Sequence, residues 1–165
     1  MQRNFRVKYQ KVKKVPLNSL TLHQHPLLTS LLVNEKRKLP APPDYTTLSY
    51  GDIQILLDTT PVPVFQDENG DSLLLMPMPF LHHLRLHPLF NKFEVTLVNF
   101  KDPKQVSHII STLNILKPSV LYIDFKQLPN LLCHRINAAK QADIPILSKK
   151  QLAHFAQLSP STIRI

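Results

Sequence analysis

The sequence predicts an α+β fold in which a small mixed sheet with flanking helices is followed by an all-helical tail. Segments typical of strands, rich in β-branched and aromatic residues, are confined to the first 100 residues. Beyond residue 101, most apolar residues recur at the three- and four-residue spacing of helices. The 165 residues and the hydrophobic fraction of 43% suit one cored domain with a small appendage.

The chain is predicted to open with short strands and helices in alternation. Residues 1–14 form a basic arm, either an edge strand or a disordered tail, and residues 15–20 form a strand that enters a turn. Helices are predicted at 25–33 and 44–58 from their apolar spacing. Gly51 is expected to interrupt the second helix.

A hairpin is the clearest feature of the middle of the chain. Strands 61–65 and 72–76 flank a turn over 67–71 with Asn69-Gly70 at its centre. The prolines in 61–65 favour a position at the sheet edge. A short helix over 80–90 and an alternating strand over 93–100 complete the predicted α+β domain, residues 15–100.

Helices are predicted to dominate residues 101–165, which we assign to a second domain. Asp102 as N-cap and Pro103 at the first helical position start a helix that runs to 116. Residues 118–124 read as a short strand or a helical link. A further helix over 127–142 carries an apolar stripe of Leu128, Leu131, Leu132, Ile136 and Ala139.

The net charge of +9 is unevenly distributed. Residues 1–40 carry nine basic residues and one acid, residues 41–125 five and nine, and residues 126–165 six and one. Two basic ends therefore flank an acidic middle, which is typical of a chain whose ends face a polyanion. Solvated lysines at the ends are the alternative explanation.

The composition excludes several classes of site. The two glycines, Gly51 and Gly70, stand too far apart for a phosphate-binding loop or a dinucleotide fingerprint. Cys133 is alone, so neither an intramolecular disulfide nor a thiolate zinc cluster can form, and it reads as a core thiol. Because the chain has neither a membrane-length apolar run nor a signal-peptide pattern, we expect a cytoplasmic protein with no membrane partner.

The last residues, 147–165, carry the sharpest motif. Ser148 can cap a helix whose inner side holds Leu152, Ala153 and Ala156, Leu158 lies in a turn, and Ser159 with Pro160 can start a second helix. Ile163 would pack back on the first helix. This pattern resembles the bacterial helix-turn-helix, although Gln157 stands where glycine is usual. Two ordinary packed helices are the alternative.

A helix-turn-helix here implies specific DNA contacts. Ser159, Ser161 and Thr162 would lie at the groove, and Lys149, Lys150 and Arg164 would contact phosphates or base edges. The chain ends about one turn into the recognition helix, so the motif is either cut at this point or serves only packing.

The order of the elements over residues 13–165 resembles the N-terminal half of ParB-type partition proteins. Val15–Leu20 with His25-Pro26 looks like the opening strand of that family, Tyr45–Leu57 like the helix before its "QPI-V" strand, and Pro61–Met76 like the following hairpin. The resemblance implies a ParB/sulfiredoxin-like fold. It also implies a DNA-binding homodimer that acts in transcription regulation or in plasmid or chromosome maintenance.

The sequence departs from this family at its nucleotide box. Where the family has G-E-R-R, this chain has Met76-Pro77-Met78-Pro79-Phe80, with neither glycine nor arginine. We therefore expect a degenerate box, no nucleotide cofactor, no hydrolysis and no enzyme. Cys133 lies far from the box, which also disfavours a sulfiredoxin-like activity.

Other side chains could bind DNA, a metal ion or a protein partner. The basic arm 1–14 and Lys36, Arg37 and Lys38 are expected to contact DNA phosphates. His83 and His87, spaced i, i+4, could bind a metal, but no local ligand joins them, so none is expected. The alternative function is a protein-interaction module or inhibitor on a degenerate nucleotide-binding fold. Its partner would bind the apolar segment 76–90, unless that segment is core: Met76, Met78, Phe80, Leu81, Leu84 and Leu86.

Overall fold

The computed structural model describes residues 9–33, 41–117, 128–141 and 148–163. The contacts divide the described chain into two compact units. Residues 9–33 and 44–117 form the sheet unit, and residues 41–43, 128–141 and 148–163 form the helical unit. Some predictions fall outside the described ranges. They concern residues 1–8, 34–40, 118–124 and 164–165, and also Ala142 and Pro145 at the predicted end of the 127–142 helix.

The described residues form strands, α-helices and several 3-10 turns. The strands are β1 (Tyr9–Pro16), β2 (Val62–Gln66), β3 (Ser72–Leu74) and β4 (Glu94–Phe100). The helices are α1 (Pro26–Leu32), α2 (Tyr50–Thr59), α3 (Pro79–Leu84), α4 (Val106–Ser111, continued as a π-helix over Thr112–Leu116), α5 (Leu128–Gln141) and α6 (Lys149–Phe155).

The predicted mixed sheet with flanking helices is confirmed. Four strands lie in the order β1-β4-β2-β3. The β1–β4 and β2–β3 pairs are antiparallel, whereas β2 and β4 run parallel. Of the two alternatives for the basic arm, its described part is the edge strand.

The predicted edge position of 61–65 is wrong, because β2 lies between β4 and β3. Pro63 pairs in register with Val98 of β4, and pairing with β3 begins only at Val64. The carbonyl of Pro63 accepts a hydrogen bond from the Leu75 amide at 3.0 Å. Since Pro63 stands just before the β3 ladder, the N–H that proline lacks is not needed there.

A bulge in β1 decides which of its side chains face each side of the sheet. Gln10 pairs with Asn99 but Lys13 with Leu97, so one extra residue is accommodated between them. Lys13 and Val15 consequently share a face with Leu97, and Lys14 points to the opposite face.

The hairpin and its turn over 67–71 are confirmed. Asp67 Oδ1 accepts hydrogen bonds from the amides of Asn69 and Asp71, at 3.0 and 2.8 Å. Gly70 has φ +87°, a conformation that glycine adopts without strain. The glycine is therefore required after the tight turn rather than within it.

Local caps start the helices of the sheet unit. His25 Nδ1 accepts from the Leu27 amide at 3.2 Å, and Asp102 Oδ1 from the Lys104 amide at 3.0 Å, as predicted. A capping box of Ser49 and Asp52 begins α2. Gly51 lies in the first turn of that helix, so the predicted interruption is wrong.

Helix α4 packs on the sheet unit. Val106, Ile109 and Ile110 form a buried cluster with Leu28 of α1 and Leu75. Sequence spacing placed this helix in the second domain, but the compact unit extends past the predicted boundary at residue 100. A short amphipathic helix cannot reveal from its own sequence which surface covers its apolar face.

Candidate nucleic-acid interface

Helix α6 begins at a fully formed capping box. Ser148 Oγ accepts from the Gln151 amide at 3.3 Å, and Gln151 Oε1 accepts from the Ser148 amide at 3.0 Å. Two amides at the helix start are thereby satisfied by side chains. The predicted cap at Ser148 is confirmed.

The turn after α6 is a Schellman motif. The Leu158 amide donates to the Ala153 carbonyl at 2.8 Å, and the Gln157 amide to the His154 carbonyl at 3.1 Å. Gln157 has φ +56°, the left-handed conformation in which glycine is usual. The turn thus has the geometry of a glycine turn although glutamine occupies it.

The segment after this turn is shorter than predicted. Ser159 caps a 3-10 turn over Pro160–Thr162 rather than an α-helix. Its hydroxyl lies 2.7 Å from the Ser161 hydroxyl, and the Thr162 hydroxyl donates to the Ser159 carbonyl at 2.6 Å. These exposed hydroxyls all take part in local hydrogen bonds.

A small apolar cluster holds the helical unit together. Cys133 and Ile136 of α5 contact Ala153 of α6 and Ile163, with Leu132 and Leu152 at its margin. Ala153 is 0% and Ile163 1% exposed. The predicted return of Ile163 onto the preceding helix is confirmed, and Cys133 is a core thiol. A side chain larger than alanine has no space at residue 153.

Two exposed lysines occupy the first turn of α6. Lys149 and Lys150 lie at the end where the helix macrodipole is positive, and no acid accompanies them in that turn. A cation at this end contributes nothing to the stability of the helix. Their placement brings two positive charges to the surface of the same short unit as Ser159, Ser161 and Thr162.

Other predicted phosphate contacts are placed only in part. Lys36, Arg37, Lys38 and Arg164 lie outside the described residues, as do residues 1–8 of the arm. Lys14 is engaged by two carboxylates, at 3.3 Å from Asp58 and 3.4 Å from Glu94. Its bond to Asp58 raises the pKa of Lys14.

The apolar segment 76–90 is mostly core. Leu81 and Leu84 are fully buried and Met78 is 7% exposed, whereas Leu86 is 87% exposed. The helix over this segment starts at Pro79, which has no N–H to offer a phosphate. Of the two expectations for the segment, the packing in the sheet unit favours core over a partner-binding face.

The paired histidines have protein partners of their own. His83 stacks on Tyr45 with ring centroids 5.9 Å apart. His87 is buried, its Nδ1 accepts from the Leu89 amide at 3.1 Å, and its ring packs against Phe93. Among the residues that the structure describes, no group of three or more His, Cys, Asp or Glu side chains could hold a metal ion.

Within the described ranges, no helix is both long and apolar enough to cross a membrane. Comparison with protein-family models and with curated proteins gives no match. Among solved structures, the chain is similar to the C-terminally truncated chromosome-partitioning protein ParB from Caulobacter crescentus, crystallised with CTP-gamma-S. The TM-score is 0.48 and the identity 14%, over 93% of this chain and 75% of that chain. At this score and identity the similarity assigns the chain to no family.

Proposed function

We propose that this chain is a non-enzymatic DNA-binding protein whose helical unit acts as a helix-turn-helix. The observation that carries the proposal is the joint between α6 and the capped segment after it. There the fully buried Ala153 and the left-handed Gln157 turn the chain sharply, so that Ile163 returns to the α5–α6 core. A helix-turn-helix needs a small residue at its crossing and a left-handed residue in its turn.

The charge of the unit supports a polyanionic partner. Lys149 and Lys150 are exposed, and residues 126–165 carry six basic residues and one acid. We assign Lys149 and Lys150 to DNA phosphates, which supply most of the affinity and its salt dependence. Ser159, Ser161 and Thr162 are assigned to the groove, and Arg164, Lys36, Arg37 and Lys38 to further phosphates.

The biological role that we propose is transcription regulation or plasmid or chromosome maintenance in the cytoplasm, as in ParB-type proteins. We also propose a homodimer, because one helix-turn-helix seldom binds DNA tightly enough and two half-sites give specificity. Analytical ultracentrifugation with and without DNA would test the dimer.

Nucleotide hydrolysis is not part of the proposal. Segment 76–80 offers a buried Met78 and a helix that starts on proline, and neither binds a triphosphate. Retention of a labelled nucleoside triphosphate on a filter by the wild-type chain would contradict this part.

The decisive experiment measures fluorescence anisotropy of labelled duplex DNA over a range of salt concentrations. We expect binding that weakens steeply with salt, and the Lys149→Ala/Lys150→Ala variant to lower the log–log slope by about 1.8, since each phosphate contact contributes about 0.9. The matched control is Lys92→Ala/Lys104→Ala, which removes two exposed lysines from the sheet unit. No binding by the wild type at about 50 mM salt, or equal slopes for both variants, would overturn the proposal.

The alternative function, a protein-interaction module that binds through 76–90, is favoured by no observation. The burial of Leu81 and Leu84 leaves little of that apolar segment for a partner.

A further inference from the structure

A pocket of about 390 Å³ opens on one face of the sheet, and the described residues that line it all belong to the sheet unit. Strand register explains how it forms. Leu97 lies opposite Lys13, Asn99 beside Val64, and Gln66 opposite Ser72, so side chains from all four strands share this face. Polar side chains that line the pocket include Lys13, Gln66, Ser72, Asn99 and Lys101.

An amide pair crosses the pocket between neighbouring strands. The Gly70 carbonyl can only accept, and it lies 3.4 Å from Gln66 Nε2. Gln66 therefore turns its Oε1 towards Asn99, whose Nδ2 donates to it at 3.2 Å. Asn99 Oδ1 is then left buried with no hydrogen-bond partner. Buried acceptors are almost always paired in folded proteins, so this one marks a place for a donor from outside the chain.

The described lining of the pocket carries positive charge. Lys13 and Lys101 line it and are exposed, and none of the described residues that line it is acidic. Lys14, the neighbour of Lys13, faces the other side of the sheet and is held by Asp58 and Glu94. The bulge in β1 is what turns Lys13 to the pocket instead.

We propose that this pocket binds a small hydroxylated anion, a phosphate monoester or carboxylate of sugar-phosphate size. Lys13 and Lys101 take the anionic group, and a ligand hydroxyl donates to Asn99 Oδ1. The volume lies at the lower end of the range for small-molecule sites. The hairpin loop beside Gly70 carries Asp67, Glu68 and Asp71, which repel a long polyanion such as a DNA strand.

The proposal does not depend on the proposed function, because Lys13, Asn99 and Lys101 are not among the residues that it assigns to DNA. The experiment is isothermal calorimetry on the full chain with four probes: ribose 5-phosphate, gluconate, inorganic phosphate and ribose. We expect at least one hydroxylated anion to bind about tenfold tighter than inorganic phosphate or ribose, since only it uses both the lysines and Asn99. Whichever of ribose 5-phosphate and gluconate binds more tightly shows whether the pocket is a phosphate site or a carboxylate site.

Variants locate the binding. Lys13→Gln/Lys101→Gln is expected to weaken the better anion by about tenfold or more, whereas Lys92→Gln/Lys104→Gln leaves it unchanged. All four lysines are exposed, so both variants are expected to fold.

The proposal is overturned if neither hydroxylated anion binds at roughly 10 mM, or if both double variants bind it equally. If ribose binds as tightly as the hydroxylated anions, the anionic group plays no part in binding. If inorganic phosphate binds as tightly, the ligand hydroxyl plays no part. Duplex DNA that binds the wild type but not Lys13→Gln/Lys101→Gln would instead make this face a second DNA surface.

Discussion

The two units of the molecule are stabilised in different ways. The sheet unit buries large side chains from distant parts of the chain, among them Leu17, Ile53, Leu81 and Phe93. Among the residues that the structure describes, the helical unit has an apolar cluster of four buried residues, and it depends on local hydrogen bonds at Ser148, Gln157 and Ser159. The sheet unit is therefore set by long-range packing, whereas the helical unit is set by a few single positions.

The largest effect is expected at the centre of the sheet unit. Phe93 is 0% exposed and its ring stacks on Tyr50 at 5.4 Å. Phe93→Ala removes these contacts and leaves a cavity, so we expect the free energy of unfolding to fall by about 3–5 kcal/mol. Urea denaturation measures it, with Leu86→Ala, at an 87% exposed position, as the control. Equal effects of the two substitutions would show that the unit does not depend on its buried core.

Enlargement of a single small residue, Ala153, should destabilise the helical unit. Ala153→Leu adds volume where the side chain is 0% exposed, and overpacking of this kind costs about 1–3 kcal/mol. Ala138→Leu makes the same change at an exposed position of α5 and should be nearly neutral. Hydrogen exchange should show lost protection in residues 148–163 and unchanged protection in β2 and β4. A loss of protection in the strands as well would contradict independent units.

Substitution of the two left-handed residues by glycine is expected to change the free energy of unfolding in opposite directions. Outside glycine, Leu22 and Gln157 have positive φ among the described residues, at +57° and +56°. Gln157 is exposed, so Gln157→Gly relieves strain and should raise the free energy of unfolding by about 1 kcal/mol. Leu22 is buried, so Leu22→Gly should lower it, because the lost burial outweighs the relief. Thermal denaturation of both variants measures the signs, and a gain at Leu22 would contradict this account.

The smallest effect is a pH dependence confined to the sheet unit. His25 caps α1 with an unprotonated Nδ1, and burial lowers the pKa of this histidine below 6.5. The cap is complete above pH 6.5, and its contribution is lost as the pH falls from there through the lowered pKa. His25→Asn keeps an acceptor that does not titrate, so it should flatten the stability profile below pH 6.5.

The part of the profile that remains in His25→Asn comes in part from His82, whose pKa burial also lowers. The serine caps of the helical unit do not titrate. Unfolding of that unit, followed by hydrogen exchange between pH 5 and 7, is expected to be the same in wild type and His25→Asn. A steeper profile in the variant would contradict the assignment of the titration to this cap.

Features that depend on neighbouring residues were predictable from the sequence. The caps at Ser148 and Asp102, the Ser159-Pro160 start and the hairpin turn were predicted because their hydrogen bonds span two to four residues. Features that depend on distant strands were not. The interior place of β2 requires knowing that β4 pairs with it, and the Gln66–Asn99 amide pair joins residues 33 apart.

Two further features could not be predicted from sequence patterns. The turn at Gln157 was predicted, but its left-handed conformation was not, because glutamine carries no local sign of positive φ. The surface that helix α4 covers could not be predicted because its apolar stripe fits any apolar surface, and only the packing with Leu28 and Leu75 identifies it.

The pairing of β1 with β4 has a consequence for synthesis. Pairs between β1 and β4 join residues 78 apart, as Pro16 and Glu94, to 91 apart, as Tyr9 and Phe100. β1 therefore leaves the ribosome without its partner, and the sheet closes only after residue 100 has emerged. The strand carries Lys11, Lys13 and Lys14, and lysines on an edge strand disfavour its pairing with another molecule. A chain shortened to begin at Leu17 would expose β4 as a new edge, open to pairing with another molecule.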